Sequence, residues 1–341
     1  DLAPSYSVGL NLAEARANIS LINKQIAEKR IETKTLERLL HSMPQDIKGR
    51  NYVINLLNAI HREIYHLKEQ KVDAGLIEDL RQFRGKYEVA EEAAGRVIEP
   101  SIPFYGREIL EMSISALLQG ENLLLSGAKA TGKNVLCENL AYMFGRPSYN
   151  ISFHVNTDSA ALIGTDTFRN NEVVLRKGPV YECADLGGFA VFDEINMAKN
   201  DAVSVLHAAL DYRGIIDIPG YDRIELHPAT RFIGTMNYGY AGTKELNEAL
   251  VSRFMVINMP KQDEETVQLI LKTYFPEIKE NALKQFVGLF MDLQLKAEHS
   301  EISTKSVDIR GMIGALKTIQ TGLRPTSAVN MGITNKSFDI F

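Results

Sequence analysis

The sequence predicts an α/β fold: a parallel sheet sandwiched by helices, with a helical hairpin or bundle before it and a helical lid after it. Three observations carry this expectation. Short apolar runs alternate with helical segments between residues 97 and 260. A glycine-rich loop, "GAKATGKN" at 127–134, lies between one such run and a helix. On either side of that stretch, apolar residues recur at helical rather than strand spacing.

The first block is 1–96. Ile19, Ile22 and Ile26, then Leu36 and Leu40, recur at three- and four-residue steps and so share one helical face. After the break "MPQD", Val53, Leu56, Ile60, Ile64 and Leu67 make a second stripe, and beyond Gly75 the pattern continues through Leu76, Leu80, Phe83 and Tyr87. Lys, Arg, Glu and Gln fill the positions between. This is a coiled-coil-like accessory domain, read either as a packed bundle with a solvated charged face or as a partner-binding coiled coil. "VIEPSIPFYG", 97–106, carries two prolines and ends the block as a linker.

The second block, 97–260, holds the sheet. "NLLLSG", "PSYNISFHV", "GGFAVFD" and "TRFIGTMN" read as buried strands, each followed by loop or helix, the order that builds a parallel sheet. In the third block, 261–341, helical segments return near 263–275, 280–298 and 303–321 and form the lid.

Composition bounds the function classes. The 341 residues are enough for two or three domains, with ordinary globular proportions of 45% hydrophobic and 24% charged side chains. A net charge of −5 argues against a dedicated nucleic-acid binder. Cys137 and Cys183 are the only cysteines, which leaves no disulfide framework and no cysteine-rich metal site. No apolar run reaches the roughly 18 residues of a membrane span, and the start lacks a signal-peptide pattern, so a cytoplasmic location is expected. An opening without Met and an end at "SFDIF" are what a segment of a longer gene product would show.

The loop 127–134 carries the first chemistry. A phosphate-binding loop reads G-x-x-x-x-G-K-[ST]; Gly127, Gly132 and Lys133 fall in register and the last position is Asn134. Backbone N–H groups from Ala128, Lys129, Ala130 and Thr131 through Val135, with the positive end of the following helix, would cradle a phosphate. Lys133 would neutralise its oxygens. The second element is "FAVFDE", 189–194, an apolar strand ending in two acids. Asp193 would enter a Mg²⁺ shell and Glu194 would polarise an attacking water. The ordinary alternative is an acidic strand end before a helix cap.

With both elements in order, the sequence resembles the AAA+ ATPases, and further segments match them. "GTMN" resembles sensor 1, which implies that Asn237 orients water near a γ-phosphate. "LNEALVSRF", 246–254, resembles the segment ending in an arginine finger, which implies that Arg253 reaches the site of a neighbouring subunit. "STKSVDIRGMIGAL" resembles the sensor 2 helix and would place Arg310 over the phosphates. The resemblance implies ATP/ADP and Mg²⁺ as ligands. Two positions depart from it: Ala130 stands where such loops have Gly, and Asn134 where they have Ser/Thr. Asn134 offers an amide oxygen, which Mg²⁺ accepts, so slowed turnover is expected rather than lost binding.

Two insertions narrow the branch. "TFRNNEVVLRKG" reads as a hairpin about Asn170 and Asn171, and "RKGPVY" followed by "DEIN" resembles the MoxR-type pattern, making 158–176 an insert in helix 2. "GIIDIPGYDRIELHP" resembles the hairpin before sensor 1. The resemblance covers about 100–340 and points to the MoxR, CbbQ/NorQ and GvpN branch, related to dynein. It implies a homo-oligomeric ring, hexameric, acting as a remodelling chaperone on a protein client through a von Willebrand A domain partner. Phe168, Asn170, Tyr221 and Arg223 are the candidate hairpin tips facing the pore, against their reading as ordinary exposed turn residues. Two other functions stay open: a nucleotide-dependent assembly switch with weak hydrolysis, and a nucleic-acid motor. Against the motor stand the acidic balance and "TMNYGY", which lacks the acidic residue of the restriction GTPases.

Overall fold

The computed structural model describes residues 66–169, 171–218, 220–237 and 246–337. The helical stripes before residue 66, and the tip residue Asn170, lie outside them.

In chain order, helix α1 (Ala74–Lys86) and helix α2 (Arg107–Leu118) lead into strand β1 (Leu123–Gly127) and helix α3 (Lys133–Met143). Then come β2 (Ser148–Ser152), α4 (Ser159–Ile163), β3 (Gly164–Arg169), β4 (Glu172–Lys177), α5 (Pro179–Leu186) and β5 (Phe189–Asp193). The core closes with α6 (Asn200–Ser204), α7 (His207–Leu210), β6 (Ile215–Ile216), β7 (Ile224–Glu225), β8 (Arg231–Asn237), α8 (Glu248–Val251) and β9 (Met255–Asn258). Four helices follow: α9 (Glu264–Tyr274), α10 (Glu280–Glu298), α11 (Ile309–Gln320) and α12 (Pro325–Gly332).

The fold is α/β, as expected. Five strands form one sheet in the order β2-β5-β8-β1-β9, and every pairing within it is parallel. Strands covered on both faces need apolar side chains pointing both ways, which is why β1, β5 and β8 read as near-continuous apolar runs. Alternation sorts those side chains between two cores. Leu123, Leu125, Phe189, Val191 and Ile233 join the core under α2 and α3. Leu124, Ala190, Phe192 and Phe232 join the core under α5, α6 and α7.

The sequence reading missed β9. It is an edge strand of four residues in which only Ile257 is buried, so it lacks the apolar run that marked its neighbours. The hairpin expected about 170–171 is β3–β4, with Phe168 opposite Val173 and Arg169 opposite Glu172. The second hairpin pairs only Ile215 with Glu225 and Ile216 with Ile224.

Helix α1 is capped by Asp73, whose carboxylate accepts the Gly75 and Leu76 N–H groups. Its buried face, Ile77, Leu80 and Phe83, lies in the same core as Leu110, Ile114 and Leu117 of α2. Arg146, fully buried after α3, fixes this arrangement by donating to the carbonyls of Tyr87, Glu88, Leu186 and Gly187. Burial lowers its pKa, and the carbonyl set supplies what water would otherwise give.

The C-terminal helices share a separate core built from Val267, Leu271, Leu283, Val287, Phe290, Ile309, Met312 and Leu316. The helix expected over 303–321 begins at Ile309, after a 3₁₀ turn at Thr304–Ser306, because Asp308 caps it by accepting the Arg310 N–H. Helix α12, also missed, packs on α11 where Gly311 faces Gly332 so closely that a Cβ on either would strike the other's carbonyl oxygen.

Candidate active site

The site lies at the carboxyl ends of β1, β5 and β8. Gly127 closes β1, the chain turns through Ala130 at φ 62° and Gly132 at φ 90°, and α3 starts at Lys133. Helices α1, α4, α8, α9 and α11 are capped by the side chains of Asp73, Asp158, Asn247, Asp263 and Asp308. Helix α3, like α2, α5, α6, α7, α10 and α12, has no side-chain cap, and it alone follows the glycine-rich loop, with left-handed Gly132 at its N-cap. Its first-turn N–H groups, which no helix can satisfy internally, are left for a ligand, and the helix dipole selects an anion.

Lys133 is 7% exposed and folds back on the loop, donating to the carbonyls of Gly127 at 3.0 Å and Ala128 at 2.6 Å. Burial pulls its pKa down to about 8, Arg310 adds to that, and Asp193 and Glu194 oppose it. Lys133, Asp193, Glu194 and Arg310 therefore share one electrostatic neighbourhood. Thr131 closes the loop by donating to Ala128 O at 3.0 Å. Lys129 is exposed, Val135 packs against the core under α2 and α3, and Asn134 is half-buried on the first turn of α3.

The acids are built differently. Parallel pairing of β5 with β8 sets Phe192 beside Gly234, and β8 in turn sets Asn237 beside Gly127. One hydroxyl serves both acids: Thr235 Oγ1 donates to Asp193 Oδ1 at 2.7 Å and accepts the Glu194 N–H at 3.1 Å. Asn237 Nδ2 donates to Glu194 Oε1 at 2.9 Å, and Asn196 Nδ2 steadies Asn237 through its carbonyl at 3.2 Å. Glu194 holds φ 54°, a left-handed backbone that costs a non-glycine residue about 1–3 kcal/mol. These bonds hold it there. Thr235 and Asn196 escaped the sequence reading, since strand order alone brings Thr235 beside the acids; its one signal was a polar residue inside "FIGTM".

The lid reaches the loop at the residue that departs from glycine. Gln262 Nε2 donates to Ala130 O at 2.7 Å, Gln294 Nε2 donates to Gln262 O at 3.2 Å, and Ala130 packs against the lid core. Arg310 stands exposed on the first turn of α11.

Arg253 is not with this group. Met255 pairs with Leu123 at the start of β1, one strand length, about 13 Å, from Gly127. There Arg253 Nε donates to His207 O at 3.3 Å, another of its nitrogens reaches Ala249 O, and Asp211 lies 3.7 Å away. Of the hairpin candidates, Phe168 is 69% exposed, Arg223 is exposed, and Tyr221 OH donates to Asp166 at 2.7 Å.

The residues fit a magnesium nucleotide. An uncapped helix start and Lys133 suit phosphate. No group of three His, Cys, Asp or Glu side chains that could hold a metal ion occurs among the described residues, and Mg²⁺ carried by phosphates asks for only one or two carboxylates, the role open to Asp193.

Residues 122–254, from the start of β1 through Phe254, match the AAA domain of the dynein-related subfamily. The uncharacterized protein YojN of Bacillus subtilis is 32% identical over 236 residues, spanning 68% of this chain and 77% of that protein. The chain belongs to the dynein-related AAA proteins. An uncharacterized protein of Staphylococcus epidermidis is 31% identical over 231 residues, 66% of this chain and 88% of that one. Among solved structures, a RuvB mutant of Thermotoga maritima is similar at 18% identity and TM-score 0.45, with 69% of this chain and 72% of that chain covered. The AAA match takes in the loop, both acids, Asn237 and Arg253, and excludes α1, α2 and the four lid helices with Arg310. None of the described helices is long and apolar enough to cross a membrane.

Proposed function

We propose that this AAA protein hydrolyses ATP and works as a homo-oligomeric, hexameric ring that remodels a protein client. The observation that carries the reading is the Asn237–Glu194–Thr235–Asp193 set held beside an uncapped phosphate loop. The loop amides and Lys133 bind the β- and γ-phosphates. Lys133 must leave the Gly127 and Ala128 carbonyls to do so, and the anion replaces them as its partner. Glu194, oriented by Asn237, accepts the proton of the attacking water. Arg310 approaches the phosphates when the lid closes. Asp193 and the Asn134 amide oxygen would hold Mg²⁺, which would supply neutralising charge to the phosphate oxygens.

Arg253 serves a neighbouring copy, since it lies a strand length from its own loop. It leaves Asp211 to do so. In this reading the protein is of the MoxR, CbbQ/NorQ and GvpN type, cytoplasmic, with exposed Phe168 and the Tyr221–Arg223 turn facing a pore, and a von Willebrand A domain protein delivering the client.

Glu194→Gln tests the chemistry. Steady ATP turnover should fall by about 100-fold or more, the usual cost of removing a general base, while ADP affinity stays within a few-fold. Unchanged turnover rejects the assignment.

Two observations favour a second reading, a nucleotide switch with weak hydrolysis. Ala130 ties the loop to the lid through Gln262, and Asn134 replaces the hydroxyl. A wild-type turnover near background, with tight ADP binding, selects it.

A further inference from the structure

The segment 102–106 is held from three sides. From the nucleotide side, the Phe104 ring lies so close to Gly132 that a Cβ there would come within 3.3 Å of it. Asn139 of α3 accepts the Phe104 N–H at 3.1 Å and donates to Ile102 O at 3.0 Å. From the lid side, the Tyr105 and Thr273 hydroxyls meet at 2.7 Å. The third side is the N-terminal segment. Gln70 Nε2 donates to Phe104 O at 2.9 Å, and Gln70 Oε1 accepts the Gly106 N–H at 2.8 Å. His66 Nε2 sits 2.7 Å from Gln70 Nε2 and 3.1 Å from the same Phe104 O, and its ring meets the Tyr105 ring edge-on at 5.2 Å.

One glutamine amide thus grips both ends of a tripeptide. That tripeptide touches the left-handed glycine of the phosphate loop and the first helix of the lid. Gln70 and His66 lie outside the AAA match at 122–254.

We propose that Gln70, backed by His66, is a positioning residue of the nucleotide site, and that the N-terminal segment senses through it whether the site is filled. The inference rests on the nucleotide-binding reading above. A phosphate that orders the loop fixes Gly132 against Phe104, and lid closure fixes Tyr105 through Thr273. Both restrain the carbonyl and N–H that Gln70 holds. Coupling of this kind is reciprocal: what nucleotide does to the grip, the grip does to nucleotide affinity by the same factor.

The test uses the full chain, with ADP displacing a fluorescent ADP analogue, and hydrogen exchange at residues 66–72. Gln70→Ala should weaken ADP binding about 5- to 20-fold, the scale of one or two part-buried hydrogen bonds, with turnover at saturating ATP within about twofold. ADP should slow exchange at 66–72 in the unmutated chain and leave it unchanged in the variant. A glutamine that merely supports the fold would lower the melting temperature without moving either readout. His66→Ala, which keeps both Gln70 bonds to the linker, is the milder second variant, expected to cost about threefold in ADP affinity. Wild-type ADP affinity in both folded variants, or ADP-independent exchange at 66–72, overturns the inference. No ADP binding by the unmutated chain overturns the proposed function and this inference with it.

Discussion

The two halves of the site are finished to different degrees. On the β5–β8 side, Asp193, Glu194, Thr235 and Asn237 satisfy one another before any ligand arrives. On the β1–α3 side the helix has no side-chain cap, and the lysine is parked on two carbonyls of its own loop. The contrast is the one that the proposed roles require. Groups that act on water lose rate if they must reorganise during the reaction, so they are fixed in advance. Groups that receive a polyanion gain affinity from donors left unspent.

The comparison breaks most sharply at Thr235. Thr235→Val keeps the shape and removes the hydroxyl that both acids use. ATP turnover should drop about 30- to 100-fold with ADP binding nearly unchanged, measured by phosphate release and titration. A parallel loss of ADP affinity would show that the halves are not separate.

The open half should respond to pH instead. The Lys133 pKa lies near 8, below the usual 10.5, because burial disfavours its charged form. Phosphate requires that charged form. The ADP dissociation constant should therefore rise above pH 8, by at most about tenfold per unit, until the bound-state pKa is passed. Folding responds with the opposite sign: the unfolded chain keeps its proton between about 8 and 10.5, so Lys133 contributes rising stability across that window. A flat ADP affinity from pH 7 to 9.5 would remove Lys133 from phosphate binding.

Smaller effects test the link between the loop and the lid. Gln262→Ala removes the bond to Ala130 O and should weaken ADP binding about fivefold by titration, leaving the acid pair untouched. Asn134→Thr restores a hydroxyl and should raise turnover at limiting Mg²⁺ about threefold, read as a shift of the Mg²⁺ titration curve.

Legibility in the sequence divided along the same physical line. Strands β1, β5 and β8 could be read because burial on both faces leaves a mark in consecutive residues, and the edge strand β2 because Tyr149 and Ile151 alternate toward the core. Strand β9 could not, since an edge strand with one buried residue leaves none. The loop and strand-end motifs pointed to Lys133, Asp193 and Glu194, and the resemblance to AAA+ segments to Asn237 and Arg310. Neither pointed to Thr235, Gln262 or Gln70, whose partners are set by strand order and long-range packing. For Arg253 the motif supplied the residue, and only the strand register supplied its distance from the loop.

The contact of Gly311 with Gly332 has a mechanical meaning. With no side chains between them, α11 and α12 meet backbone to backbone and have no rotamer by which to slip. Arg310 is the next residue along from that joint. Its Cα is mounted on a joint without play, so a rotation of the lid core is delivered to the base of the arginine side chain rather than absorbed between the helices.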